Sequence, residues 1–281
     1  MIVLKNTNIV DATITALTEA ESFKFSDALI DQRRSRYGRT TAITDQYIDI
    51  VFTAEIEASY FALVDDNLSD TAIITLSANT VNDLDNPVIT YTIPIAQKSF
   101  SKVEDLALTE STEFLLIDEN DDYVVDENDN NIAGYTSFDA YQYWRVSLSD
   151  VDSADTYIQV GKIFLDNGVT FPYMSKTQKI PTASTATVTE GPTGQVFGDE
   201  GIFFRYGTIN FPIVENSDKK IIDTLFRAVD KFRPILIAIW EDDLDLESPI
   251  YSRFTTDLDW TRVEDLSGLK YSLAVGFKEQ F

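Results

Sequence analysis

The side chains in this sequence that could do chemistry are mostly carboxylates. Between Phe114 and Tyr135 the chain reads FLLIDENDDYVVDENDNNIAGY, with Asp-Glu-Asn-Asp occurring twice. Counted from Asp118, oxygen-bearing side chains fall at the first, third, fifth and twelfth places of a calcium loop: Asp118, Asn120, Asp122 and Asp129. Tyr123 takes the sixth place, where a helix–loop–helix calcium loop uses glycine, and the flanks are strand-like. Counted from Asp126, the twelfth place falls on Ser137. Two successive strand turns are therefore expected, with a loose surface Ca²⁺ site as the alternative.

The only basic cluster is DQRRSRYGRTT, Asp31 to Thr41. Arg33, Arg34, Arg36 and Arg39 would suit an anion or an acidic partner. The simpler expectation is that these arginines pair with the molecule's own carboxylates.

Composition narrows the chemistry further. The chain has 0 Cys and 0 His, which excludes disulfides, thiol chemistry, Ser-His and Cys-His pairs and the common zinc sites. No Gly-rich phosphate loop or GxSxG elbow is present. With 47 acidic residues, carboxylate pairs arise by chance, so none is singled out as a glycosidase dyad. No catalytic residue, cofactor or metal ligand is assigned, and the chain is not expected to be an enzyme. A net charge of -25 argues against duplex binding through phosphate neutralisation. No signal peptide is recognised, and no apolar run approaches the ~18 residues of a membrane span.

The elements that would position any site read as strands. Ile2 to Leu4 is a short apolar strand, followed by an irregular arm to Phe25. Period-two alternation then marks QYIDIVF (Ile48, Ile50, Phe52), SYFALV (Phe61, Leu63), TAIITLS (Ala72, Ile74, Leu76) and VITYTIP (Ile89, Tyr91, Ile93). The DDNLSD sequence, Asp65 to Asp70, is a polar turn. Phe138 to Leu165 reads as an antiparallel pair around a polar loop. Trp144, Val146 and Leu148 share one face, and a phase slip at Gly161 suggests a β-bulge. Trp144 is expected as a core anchor and not as a sugar platform.

Composition shifts at Ser175 to Gly201, which is rich in Thr, Ser, Gly and Pro and has strand character around Thr185 to Thr189. Beyond it, NSDKKIIDTLFRAVDKF is the one convincing helix, N-capped by Asn216 or Ser217. Ile221, Ile222, Leu225, Phe226, Val229 and Phe232 line one face of it. Pro234 ends the helix before an apolar strand from Ile235 to Trp240, and YSRFTTDLDW and LKYSLAVGFKEQF add further strands. The expected division is a β-sandwich at 1–176, a linker or extended arm at 177–201 and a small α+β unit, one helix over a sheet, at 202–281.

Three of these segments in order, YIDIVF (Tyr47 to Phe52), FALVDDNLSDTAIITLSA (Phe61 to Ala78) and YWRVSLSD with YIQVGKIFL, resemble the galactose-binding-like, or discoidin-like, jelly roll over residues 20–172. GQVF (Gly194 to Phe197), FRYGTINFP, the helix and KFRPILIAIW look like the second half of minor or distal tail proteins of long-tailed bacteriophages. The chain departs from the jelly-roll pattern at Asp65 and Asp66, ahead of Asn67, where relatives often carry His, and at the acidic turns of 118–131. No sugar or metal site is therefore carried over.

The resemblance implies a mainly β virion protein at the tail tip or baseplate. Its C-terminal unit would build a homo-oligomeric ring, threefold or sixfold, that meets tail tube and baseplate hub proteins. The sandwich would face outward towards a partner or a host-surface glycan. A carbohydrate-binding adhesin or accessory module with the same sandwich is the alternative.

Overall fold

In a computed structural model the chain is mainly β, with a sandwich stacked on a sheet-and-helix unit. The structure describes residues 1–5, 7–31, 33, 35–99, 101–102, 114–115, 133–134, 140–171, 174–175, 179–190, 196–239, 249–265 and 268–280. The acidic segment holding Asp118, Asn120, Asp122, Asp126 and Asp129 lies outside them, as do Arg34, Ser137 and Trp240. Of that acidic segment's neighbourhood only a short pairing of β9 (Phe114–Leu115) with β10 (Ala133–Gly134) is described.

The alternating strands form a five-stranded antiparallel sheet in the order β2-β4-β11-β6-β7, made of Thr13–Ala16, Gln46–Ile56, Tyr141–Ser149, Ile73–Asn79 and Ile89–Ile93. Facing it is a three-stranded sheet, β13-β5-β8, made of Lys162–Asp166, Tyr60–Val64 and Ser101–Lys102. Ile48, Ile50, Ile74, Leu76, Trp144, Val146 and Leu148 pack from the first sheet against Phe61, Leu63, Ile163 and Leu165 from the second. This is the expected sandwich, with alternate residues of each strand filling one core. Trp144 is 1 % exposed, and its indole Nε1 donates to the Tyr141 carbonyl at 3.1 Å. The polar turn at 65–70 is held from a distance, because the buried Asp150 carboxylate accepts from the Ser69 backbone N–H at 2.7 Å and from its hydroxyl at 2.5 Å.

The two strands of Phe138 to Leu165 are not a hairpin pair. β11 is the central strand of the five-stranded sheet, bonded to β4 and β6, whereas β13 bonds to β5 in the opposite sheet. The polar loop between them crosses from one sheet to the other. Gly161 marks a change of partner: β12 (Gln159–Val160) pairs with β3 (Gly38–Arg39), and β13 starts one residue later. Its N–H is shared between the carbonyls of Val64 at 3.1 Å and Asp65 at 3.2 Å. A Cβ there would sit 2.9 Å from the Val64 carbonyl oxygen, so a glycine lets the two backbones close up.

The N-terminal arm is more ordered than its composition suggests. After a short helix α1 (Thr7–Val10), β2 adds to the edge of the sandwich, and α2 (Phe25–Ile30) buries Phe25, Ala28 and Leu29. The Glu19 carboxylate accepts the Phe25 N–H at 2.9 Å at the start of α2.

The second unit is an eight-stranded sheet, β14-β1-β19-β20-β22-β18-β15 with β21 also on β22. Its strands are Val169–Thr170, Ile2–Lys5, Ile235–Ala238, Ile250–Phe254, Gly268–Glu279, Phe203–Glu215 and Thr182–Ser184, with β21 at Thr261–Asp265. The first strand of the chain therefore lies beside β19, with Ile2 opposite Ala238 and Leu4 opposite Leu236. The sandwich is inserted between β1 and β14, and both of its ends are fixed in the other sheet.

Helix α3 (Asn216–Val229) covers one face of this sheet, packing Ile222, Leu225 and Val229 against Ile209, Phe211, Val275 and Phe277. Ile221 and Phe232, expected on the buried face, are 52 % and 71 % exposed; Phe232 lies past the end of the helix. The residue at the N-cap is Glu215, one position before the expected Asn216, and it makes no side-chain capping bond. The opposite sheet face packs on the sandwich: Ile2, Leu4, Leu236, Ala238 and Tyr251 meet Tyr60, Ala62 and Phe164. β5 and β13 are thus buried on both faces, as strands in an inner layer must be. The Lys5 N–H donates to the Asp166 carboxylate at 3.1 Å at this junction, and burial pushes the Asp166 carboxyl up from its ordinary value. Between β15 and β18 the chain runs out as a two-stranded hairpin, β16 (Val188–Glu190) with β17 (Val196–Gly198).

Candidate functional site

The basic cluster divides into two parts with different surroundings. Arg33 folds back on Asp31, with Nη2 to Oδ2 at 2.5 Å, and Arg36 approaches the same carboxylate at 3.7 Å. The hydrogen bond from Arg33 holds Asp31 at about 2, against the opposing effect of partial burial. These two arginines behave as expected of side chains neutralised within the molecule.

Arg39 does not. It sits on β3, where Tyr37, two residues earlier, projects to the same side of the extended chain. Its guanidinium carbon lies 4.3 Å from the centroid of Phe23, 4.7 Å from Tyr37 and 4.4 Å from Tyr157. Phe23 and Tyr37 are themselves stacked at 5.4 Å with their planes 9° apart. Nε donates to Gln159 Oε1 at 3.2 Å. No carboxylate among the described residues pairs with Arg39, in a chain with 47 acidic residues. Arg39, its three rings and Gln159 are all half-buried. Contacts of this kind orient a guanidinium while leaving N–H donors at the surface.

The backbone explains why four separated segments meet here. Ala20 donates to the Arg39 carbonyl at 2.8 Å and Arg39 to the Phe23 carbonyl at 2.9 Å, which pins residues 20–23 on one side of β3. On the other side β12 pairs Gln159 with Arg39. The approach to β12 is fixed by Asn67, whose Nδ2 donates to Asp155 Oδ2 at 2.8 Å and to the Tyr157 carbonyl at 3.1 Å. Its Oδ1 accepts from the Gln159 N–H at 2.7 Å. Thr40 completes the frame, with Oγ1 accepting the Ile158 N–H at 2.8 Å. Gly38 has no room for a side chain, since a Cβ would fall 2.4 Å from the Phe25 ring.

Beneath the arginine loop lies Lys162, fully buried at the start of β13. Its ammonium donates to the carbonyls of Ala28 at 2.6 Å and Arg36 at 3.2 Å, joining α2 to the loop that leads into β3. Burial pushes its pKa down to about 8, while the nearby Asp31 and Asp65 carboxylates pull the other way and Arg33 adds to the lowering.

The basic cluster marks Arg39 in the sequence but does not mark its partners. Phe23, Tyr37 and Tyr157 lie far apart in the chain, and the available signal was a repeated i, i+2 pairing of an aromatic with a polar residue, Tyr37 with Arg39 and Tyr157 with Gln159. Among the described residues no group of three or more acidic side chains stands close enough to hold a metal ion.

No model of a known protein family matches this chain, and no curated protein matches it. Solved structures do. A fucose-binding module of Streptococcus pneumoniae aligns at a TM-score of 0.37 and 8% identity, covering 58% of this chain and 95% of the module. A family 32 carbohydrate-binding module of Clostridium perfringens, in complex with GalNAc-β-1,3-galactose, aligns at 0.33 and 10%, covering 58% and 99%. A chitosan-binding module from a Paenibacillus chitosanase/glucanase aligns at 0.35 and 13%, covering 56% and 96%. Likenesses this distant assign no ligand to this chain.

Proposed function

We propose that this chain is a non-catalytic recognition protein whose sandwich binds carbohydrate at the Arg39 platform. The observation that carries this reading is a guanidinium with no described carboxylate partner, held between aromatic rings and beside Gln159. Guanidinium N–H groups donate to vicinal hydroxyls, the Tyr rings offer faces to sugar C–H groups, and Gln159 adds amide chemistry. The half-buried setting suits a short glycan end and not a buried substrate. The test is a glycan array probed with the full chain, followed by titration of the best ligand. Arg39→Ala and Tyr157→Ala are each expected to weaken binding by roughly tenfold or more, since losing one such contact costs ~1.4 kcal/mol. Equal binding by wild type and both variants overturns the reading.

A second reading, that of a phage tail-tip protein, rests on the other end of the molecule. Val188, Ile202 and Phe203, on and beside the β16–β17 hairpin, are 71 %, 53 % and 74 % exposed, next to the sheet edge at β15. Exposed apolar residues at an open sheet edge suit subunit joining. In this role copies form a threefold or sixfold ring that meets tail tube and hub proteins, and the sandwich faces a host-surface glycan. Sedimentation velocity on the purified chain is then expected to give three or six copies, reduced to one by the double substitution Val188→Ser and Phe203→Ser. A wild-type chain that stays monomeric at micromolar concentration sinks it.

A further inference from the structure

The described residues cover the sheet face opposite α3 only in part. The sandwich seats on its β1-β19-β20 half through Ile2, Leu4, Leu236, Ala238 and Tyr251. Beyond that, over β18 and β22, no layer of the described residues covers the same face, and Tyr206, Thr208 and Asn210 are exposed on it. Register places Tyr206 opposite Lys278 and Thr208 opposite Gly276, and Lys278 is also opposite Arg253 on β20. These alternate with Ile209, Val275 and Phe277, which point to the helix side. A groove of about 680 Å³ runs here, with Lys179, Phe204, Tyr206, Thr208, Thr256 and Lys278 in its lining. That volume is in the range of small-ligand sites.

The charge of this groove is opposite to that of the chain. The molecule carries 47 acidic residues against 22 basic ones, yet none of the described residues lining the groove is acidic and two are lysines. The Lys278 ammonium lies 4.4 Å from the Phe204 ring centroid, and Arg253 is exposed beside it. No described carboxylate pairs with Lys179, Lys278 or Arg253. Cations at this density, in a strongly anionic molecule, make the groove the local sink for a negative ligand.

We propose that this groove binds an acidic oligosaccharide, a chain of uronic-acid units. The carboxylates meet Lys179, Lys278 and Arg253, the hydroxyls of Thr208 and Thr256 pair with ring hydroxyls, and Phe204 and Tyr206 take the C–H faces of the sugars. Nucleic acid is disfavoured because its affinity depends on a continuous row of phosphate contacts, which Lys179, Lys278 and Arg253 do not supply. The groove lies outside the sandwich, so this inference does not rest on the Arg39 platform.

The experiment is calorimetric titration of the full chain with a hexamer of galacturonic acid, and with a neutral glucose hexamer, at low and high salt. Binding is expected for the acidic hexamer alone, weakening with salt. The double substitution Lys179→Glu and Lys278→Glu is expected to weaken it by roughly tenfold or more, as is Thr208→Trp, which fills the groove without changing charge. Arg39→Ala is expected to leave it unchanged, which separates this site from the sandwich platform. The inference is overturned by absent binding, by equal affinity for the neutral hexamer, or by titrations that the groove variants leave unchanged. It is also overturned if wild type self-associates and the double substitution dissociates it, which would give the groove to an acidic segment of a second copy.

Discussion

Trp144→Ala is expected to lower the unfolding free energy by about 3–5 kcal/mol, the range for deleting a buried aromatic side chain from a packed core. Trp144 is the largest side chain in the sandwich core and 1 % exposed. It stands on the central strand of the five-stranded sheet, bonded on both sides, so neighbouring strands cannot collapse into the space it leaves. Its ring also meets Tyr141 edge-on at 5.9 Å. Trp144→Phe separates volume from hydrogen bonding: it keeps most of the apolar contact and loses the bond to the Tyr141 carbonyl, so a cost of about 1–2 kcal/mol is expected. Urea unfolding followed by far-UV circular dichroism measures both. A loss under about 1 kcal/mol for Trp144→Ala would mean that the sandwich is not organised around this residue.

How much of the fold is legible in the sequence depends on the range of the interactions involved. Alternation in β4, β6, β7 and β11 was readable because each strand has one core face, and the period-two pattern is a property of a few neighbouring residues. β5 and β13 are legible as strands, but their burial on both faces does not follow from alternation. In YFALV and KIFLD the continuous apolar run, not the alternation, was the signal of an inner layer. Which strand pairs with which is not legible from local patterns. The polar loop after β11 looked like a hairpin connection, yet it crosses the sandwich, and no local pattern distinguishes those outcomes. The placement of Ile2 to Leu4 beside β19 joins residues more than two hundred positions apart, with nothing in either segment to specify the other.

The helix shows a milder form of the same limit. Ile222, Leu225 and Val229 lie on the buried face that their spacing predicts, but an apolar residue on that arc is buried only where the sheet reaches it. The chain leaves the helix at Asp230, whose φ of 50° turns it away before Phe232. The candidate site was legible to the extent of one residue. The basic cluster marks Arg39, but the pairing with the molecule's own carboxylates expected of all four arginines holds for Arg33 and Arg36 and not for Arg39, whose aromatic surround depends on β3 meeting β12. That pairing exists because Gly38 admits the Phe25 ring and Gly161 admits the Val64 backbone.

Lys162 links this frame to pH. Unfolded, its amine has the ordinary value of 10.5; folded, burial pushes it down to about 8. Between those two values the unfolded chain holds a proton that the folded chain has released, so raising the pH through that window favours the folded state. Below pH 8 the amine is charged in both states and the folded protein bears the full cost of burying it. Above 10.5 it is neutral in both, and that cost has gone. The gain across the window is on the order of 3 kcal/mol. The neutral amine keeps two N–H groups, enough to hold the carbonyls of Ala28 and Arg36, so the junction of α2 with the arginine loop need not open as the charge is lost. Other lysines and tyrosines titrate in the same range, so the measurement is a difference: urea unfolding of wild type and Lys162→Met at pH 7.5, 9 and 10.5. Wild type is expected to gain stability relative to the variant as the pH rises, because methionine has no charge to bury. A stability difference that stays flat across the three pH values, or moves in the variant's favour, would show that Asp31 and Asp65 offset the cost of burial at Lys162 in full. The clasp under the Arg39 loop would then be an ordinary ion-paired lysine.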